Sequence, residues 1–381
     1  MLTYLLTCLL AYLLTYLLTY LLTYSQVFSW TLPGCDSRLG WAKTTRPARL
    51  GTISKHVVQI ALGDDSMLLL DHAGGVQCWL GGASAAQPVR GLGGVQVVSI
   101  GCGAEHCMVC TSAGAALSWG SNDEGQLGLG DRDDRDEPCA LELPADEKGR
   151  AVSCIASSSF LLTQGGHALS CGLNDRRQLG HPDPALHEAP PRRRQLPEPS
   201  ASGGEDGGEA GGGGEATEEE DGSDDELVDE ASSDTLRYLA LPGHVAGLLV
   251  QISCASEHGA ALTSDGRVVT WGNAEGGRLG RGRTRGASVA SHAQPSVVTL
   301  LADQQIQTVS TGGAHTVAVT ESGRLWMWGQ ISNEATYRKP ARALGEMLGG
   351  AYFVRAAALG DCFTVAVAIP PDAENEDEDL S

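Results

Sequence analysis

Residues 102–131, CGAEHCMVCTSAGAALSWGSNDEGQLGLGD, set a pattern that returns twice more in the 381-residue chain at fixed spacing. His106 precedes Trp119-Gly120 by thirteen residues, and the same offset separates His258 from Trp271-Gly272 and His315 from Trp328-Gly329. The flanks match too, in CASEHGAALTSDGRVVTWGNAEGGRLGRG (254–282) and GGAHTVAVTESGRLWMWG (312–329). A fixed offset with matching flanks marks an internal repeat of about 50 residues, which has to be settled before any single side chain is interpreted. Two variant copies keep the offset, Ser66 to Trp79 and Ser158 to Cys171-Gly172. A sixth unit is split: FVRAAALGDCFTVAVA (353–368) supplies its first half, with Phe363 in the histidine slot, and SWTLPGCDSRLGWAKTTRPARL (29–50) supplies its second.

Within a unit, runs such as VQVVSIGCG, HCMVCTS and AALSWG are apolar, of strand length and without a helical period. Between the second and third runs stand Ala113-Gly114, Gly165-Gly166, Asp265-Gly266 and Ser322-Gly323, pairs that reach the positive backbone angles of a tight hairpin. After Trp-Gly comes a polar turn ending in Gln-Leu-Gly or Arg-Leu-Gly (Gln126, Gln178 and Arg278 lead the three cases), then a proline and a last short run such as residues 295–298. Four-stranded antiparallel units that cannot bury both faces alone, repeated radially, predict an all-β fold, a β-propeller closed by pairing of the N- and C-terminal half-blades. Closure hides the sheet edges.

The Cys-Gly, Trp-Gly and Gly-Gln-Leu-Gly signatures resemble those of the regulator of chromosome condensation repeat family over roughly residues 27–369, one insert apart. Members of that family usually have seven blades. Six are visible here, and seven stays open because of how the chain starts. After Met1 the sequence runs LTYLLTCLLAYLLTYLLTYLLTY, apolar and long enough to be read as a membrane span. Its four-residue period corresponds to translation of a CTTA tetranucleotide repeat, and it lacks the basic n-region and small-residue cleavage site of a secretory signal. The expected organisation is therefore a low-complexity repeat (1–26), a first propeller part (27–189), a disordered acidic insert (190–234), a second propeller part (235–369) and an acidic disordered tail (370–381).

The formal charge is −21, but its placement matters more than its size. Residues 198–234 hold fifteen Asp or Glu and no Lys or Arg, and residues 371–381 hold six more acids. The other 26 of the 47 acids match the 26 Lys and Arg, so the propeller itself is near neutral. The insert is too poor in apolar residues to offset its ordering entropy. Ser223, followed by Asp224, Asp225 and Glu226, suits an acid-directed kinase. The resemblance implies a founder with a basic tail that binds chromatin; Arg192, Arg193 and Arg194 are too few and too close to acids to replace it. Direct nucleic-acid binding is not expected.

The eleven cysteines fall in repeat positions rather than a metal pattern: Cys102 and Cys254 occupy the Cys-Gly slot, Cys171 replaces a tryptophan, and Cys107 and Cys110 should face opposite sides of one strand. Buried reduced thiols are expected, with neither metal nor cofactor. The resemblance makes His106, His258 and His315 structural, orienting strands by hydrogen bonds, and places Trp30, Trp79, Trp119, Trp271 and Trp328 between blades, with Gly120, Gly272 and Gly329 completing the signature; Trp41 and Trp326 fall outside the slot. A light-sensing member of the family depends on tryptophans within Gly-Trp-Arg-His-Thr repeats, which this chain lacks. There is no Walker loop, Gly-x-Ser-x-Gly elbow or His-Glu-x-x-His motif.

Two functions follow from the resemblance. The first is a non-enzymatic protein-interaction scaffold, monomeric, in the cytoplasm, the nucleus or both. The second follows from the founder, a guanine-nucleotide exchange factor that wedges a loop against the nucleotide site of the small GTPase Ran and needs no catalytic residue of its own. In the Trp328 unit the usual Gly-Gln-Leu-Gly turn is replaced by QISNEATYRK (330–339), which makes Gln330, Asn333, Glu334, Tyr337 and Arg338 the expected partner-contact residues.

Overall fold

In the computed structural model the described residues are 57–181, 232–282, 294–330 and 336–342, isolated positions apart, together with strand segments at 28–29, 48–49, 353–359 and 364–369. They form five four-stranded antiparallel sheets in chain order. Blade 1 comprises β3 (Val57–Leu62), β4 (Ser66–Asp71), β5 (Val76–Leu80) and β6 (Gln87–Pro88), and blade 2 comprises β7 (Val97–Cys102), β8 (His106–Thr111), β9 (Ala116–Gly120) and β10 (Arg135–Ala140). Blade 3 is β11 (Gly149–Ile155), β12 (Ser158–Thr163), β13 (Ala168–Leu173) and β14 (Ser232–Tyr238). Blade 4 is β15 (Leu249–Cys254), β16 (His258–Thr263), β17 (Val268–Gly272) and β18 (Ser296–Val297), and blade 5 is β19 (Ile306–Gly312), β20 (His315–Thr320), β21 (Leu325–Gln330) and β22 (Thr336–Arg342).

The two halves expected for the split unit are each a two-stranded antiparallel ladder: β1 (Phe28–Ser29) with β2 (Ala48–Arg49), and β23 (Phe353–Leu359) with β24 (Thr364–Ile369). β23 packs on β19 and β20 of blade 5. The acidic segments, Ser223 and residues 1–24 lie outside the described residues. β14 begins at Ser232, inside the segment expected to be disordered to residue 234, because residues 232 and 233 pair with Leu173 and Gly172 and Ser233 is buried.

The first strands of successive blades touch one another in series, β3 to β7, β7 to β11, β11 to β15, β15 to β19 and β19 to β23, as strands around a common axis do. The apolar core therefore lies between blades. Cys107 and Val109 of β8 pack with Leu68 and Leu70 of blade 1, while Met108 and Cys110 pack with Leu161 and Leu169 of blade 3. Strand alternation sends successive side chains to opposite neighbours, which is why β8, β12, β16 and β20 are buried along their whole length. Trp271 fills the junction of blades 3 and 4, and Trp328 that of blades 4 and 5.

Each first strand carries one register shift near its start. In blades 1, 2 and 4 the residue just past it reaches the next blade. Gln59 donates from Nε2 to the Ile100 carbonyl (3.0 Å) and accepts the Ile100 N–H at Oε1 (3.1 Å), and Gln251 does the same with Val309 at 3.0 and 3.1 Å. Ser99 accepts from the Val152 N–H at 3.1 Å. The corresponding residue of blade 3 is Ala151, which has no group for this bond.

Candidate functional site

Connections from first to second and from third to fourth strands emerge at the same end of every blade, and we term this end the turn face. The third-to-fourth connections are unlike one another in length: 81–86 in blade 1, 121–134 in blade 2, 174–231 in blade 3, 273–295 in blade 4 and 331–335 in blade 5. The Trp-Gly signature sets their point of departure. Gly120, Gly272 and Gly329 have φ of +109°, +95° and +101°, and a Cβ on each would meet the carbonyl oxygen of Glu105, Glu257 or Ala314 within 2.6 Å. Those same carbonyls accept the next N–H along the chain, from Ser121, Asn273 and Gln330 at 2.8–3.0 Å. Only glycine fits so close a crossing.

The turns are held from within. Asn122 Oδ1 accepts the Leu127 N–H and Asn174 Oδ1 the Leu179 N–H, both at 3.0 Å, while Gln126 and Gln178 accept the N–H of Glu124 and Arg176. Asn122 Nδ2 also donates to the carbonyls of Asp131 and Asp133, folding the longer loop of blade 2 onto its base. Arg132 spans to blade 3, donating to Ser232 Oγ at 2.6 Å. What remains exposed at the tips differs from blade to blade: Asp123 in blade 2, Asp175 and Arg176 in blade 3, Glu275 in blade 4.

Behind the tips, chemistry repeated from blade to blade ties the turns to the following blade. His106 Nε2 lies 2.7 Å from Ser159 Oγ, and that hydroxyl donates to the Gln126 carbonyl at 2.7 Å, so the imidazole must be the donor in the first contact. His258 repeats the arrangement with Thr316 (2.9 Å), whose hydroxyl donates to the Arg278 carbonyl at 3.0 Å. The indoles use the same carbonyls: Trp271 Nε1 donates to Gln178 at 2.7 Å and Trp328 Nε1 to Arg278 at 2.8 Å. In blade 3 the Cys171 thiol stands in the tryptophan slot and points at the Gln126 carbonyl at 3.5 Å. Blade 1 lacks the Gln-Leu-Gly turn, and Trp79 donates instead to Ala83 of its own blade, leaving Trp119 only partly buried. Burial lowers the His106 pKa to about 4 and, helped by the Arg278 charge, that of His258 to about 3.

The three histidines thus stand in three separate blades, with His315 buried in blade 5. Among the described residues no three His, Cys, Asp or Glu stand close enough to share a metal ion. Of the expected contact residues, Gln330 is exposed at the end of β21 and abuts the 3-10 turn Glu275–Gly277 of blade 4; a Cβ on Gly276 would lie 3.3 Å from its Cβ. Tyr337 and Arg338 lie in β22, with Tyr337 opposite Gly329, and Asn333 and Glu334 fall outside the described residues. Sequence reading missed Gln59, Ser99 and Gln251, although polar residues at one repeat position in a strand facing the axis were the signal.

The sequence profile described as "Regulator of chromosome condensation (RCC1) repeat" matches residues 113–162 and 265–319, and a second profile of the same description matches 97–126, 249–277 and 306–334. The chain belongs to this repeat family. It is 28% identical over 328 residues to ultraviolet-B receptor UVR8 of Arabidopsis thaliana, covering 81% of this chain and 73% of the receptor. It is 30% identical over 347 residues to the X-linked retinitis pigmentosa GTPase regulator of Homo sapiens, covering 87% of this chain and 33% of the regulator. Of E3 ubiquitin-protein ligase HERC2 of Homo sapiens it spans 6%, at 29% identity. Among solved structures, Prp20p of Saccharomyces cerevisiae superposes with a TM-score of 0.66 at 18% identity, over 93% of this chain and 82% of that one. Human WBSCR16 gives 0.63 at 19%, over 87% and 77%. These likenesses establish an RCC1-type propeller, and the relatives support a protein-interaction or GTPase-regulatory role.

Proposed function

We propose that the chain is a non-enzymatic protein-interaction scaffold that binds its partner through the turn face. The observation that carries this reading is the division of labour at that face. Buried His, Ser, Thr and Trp groups are committed to blade-to-blade bonds, while the tips they support differ in length and charge. A rigid frame with unlike tips presents a preorganised surface that loses little entropy on binding. The acidic insert leaves and re-enters blade 3 on this same face and adds charge to it, so a partner with basic groups gains from both.

A second reading is nucleotide exchange on Ran or a related small GTPase, with Asn333 and Glu334 as wedge tips. Two observations favour it: the blade 5 connection departs from the repeat where Gln330 meets blade 4, and the Prp20p structure is described with binding to Gsp1p and histones. Release of labelled GDP from Ran and a panel of small GTPases, with the full chain at substoichiometric concentration, separates the two. The scaffold reading expects release at the spontaneous rate. Acceleration on any one GTPase, lost on N333A/E334A substitution, would replace it with the exchange reading.

A further inference from the structure

The structure assigns Cys102 and Cys107 as a dithiol site for a hydroperoxide, closing to a disulfide at the root of the turn at 103–105. The two residues are direct cross-strand partners in β7 and β8, and their sulfurs lie 3.6 Å apart. The adjacent pair is closed by the Gly103 N–H on the His106 carbonyl at 2.8 Å, so Cys102 and Cys107 form the next, non-hydrogen-bonded pair, where side chains stand closest. Typical Cα separations at such a pair, about 4.5 Å, fall inside the range a disulfide spans without backbone movement. Cys254, in the equivalent slot of blade 4, faces Gly259 and has no such partner.

The site is set apart from the other thiols by its paired sulfurs rather than by exposure. Cys102 and Cys107 each retain 5% exposure beneath the turn, against none for Cys110 and Cys171 and 8% for Cys254, while Cys78, Cys139 and Cys154 are partly exposed. Burial pushes the Cys110 and Cys154 thiols up to about 12. Cys107 is moved down, first by its hydrogen bond with Cys102 and further by one with the Ser66 hydroxyl, against the effect of burial. Cys107 is therefore the nucleophile and Cys102 the resolving thiol.

The reaction balances. The Cys107 thiolate attacks one peroxide oxygen, the O–O bond breaks, and the departing hydroxide takes a proton to leave as water, giving a sulfenic acid. Cys102 sulfur then attacks the Cys107 sulfur, the S–O bond breaks, and hydroxide leaves with the Cys102 proton as a second water. The thiols lose two electrons and two protons in total, and the peroxide is reduced. Closure also weakens the acceptor of Ser66, which occupies the histidine slot of blade 1, by replacing the Cys107 thiol with a disulfide sulfur.

The test is oxidation of the native full-length chain with hydrogen peroxide, followed by alkylation and peptide mapping by mass spectrometry. The expected product is a Cys102–Cys107 bridge, lighter by two hydrogens and reopened by dithiothreitol. C107S should abolish it, and C102S should halt at a sulfenic acid on Cys107 that dimedone traps. Recovery of both cysteines as free thiols, or bridging of either to a third cysteine, would overturn the assignment. The wild-type map decides this even if a variant fails to fold.

Discussion

An imidazole that donates its Nε2–H across a blade junction has no good place for a second proton. At His106 and His258 the cost of desolvating a charged ring outweighs the backbone contacts with Ala156 and His315 that favour it, and His181, buried against Ser170, is likewise pushed down to about 4. Their folded pKa values lie below the ordinary value of 6.5, so the unfolded chain binds protons first as the pH falls. Stability from these groups is full above about 6.5 and is lost on acidification towards about 4 for His106 and about 3 for His258. Each should contribute a slope of about 1.4 kcal/mol per pH unit in that window. Urea unfolding of H258Q between pH 6 and 4 should show a correspondingly shallower slope than wild type, and an unchanged slope would mean that His258 is already charged in the fold.

At the level of the strand, most of the fold was legible in the sequence, because local rules govern it. Hairpin glycines, apolar runs and the opposed faces of Cys107 and Cys110 all follow from residues close in the chain. The junction bonds were not legible, since Gln251 and Val309, or His258 and Thr316, are 58 residues apart and meet only once blades stack. The contact loop was hard to read for a different reason: loss of the repeat turn in blade 5 shows where regularity ends but not what replaces it. The junctions also differ from one another. The Arg278 carbonyl receives both Thr316 and Trp328, whereas Trp271 is the side-chain donor at Gln178, because Gly259 stands where a hydroxyl would and the Trp271 ring fills its Cβ space. Truncating Trp271 to Phe leaves a buried carbonyl unsatisfied, and truncating Trp328 does not. W271F should therefore cost about 1–2 kcal/mol more than W328F in chemical denaturation, within the usual range for an orphaned buried group. Equal losses would show that the shared carbonyl is not what makes the junctions unequal.

For the whole molecule, the series of blades and the acidic segments divide the work. The balanced body supplies rigidity and shape, and the charge is concentrated in the insert and tail. The connection that carries the insert leaves β13 and enters β14 on the turn face, where Ser232 meets Arg132. The opposite end, where hairpins such as those at 112–115 and 264–267 turn tightly, is the natural control surface. The most direct measurement is quantitative affinity purification comparing wild type, a turn-face variant (D123A/R176A/E275A) and a hairpin-face variant (S112A/R267A/R324A), all shown to be folded. Partners bound by wild type should fall at least about tenfold with the turn-face variant and hold with the other, since clustered contact residues commonly account for about 1.4 kcal/mol or more. Equal retention by both variants, or selective loss with the hairpin-face variant, would contradict a scaffold that works through its turns.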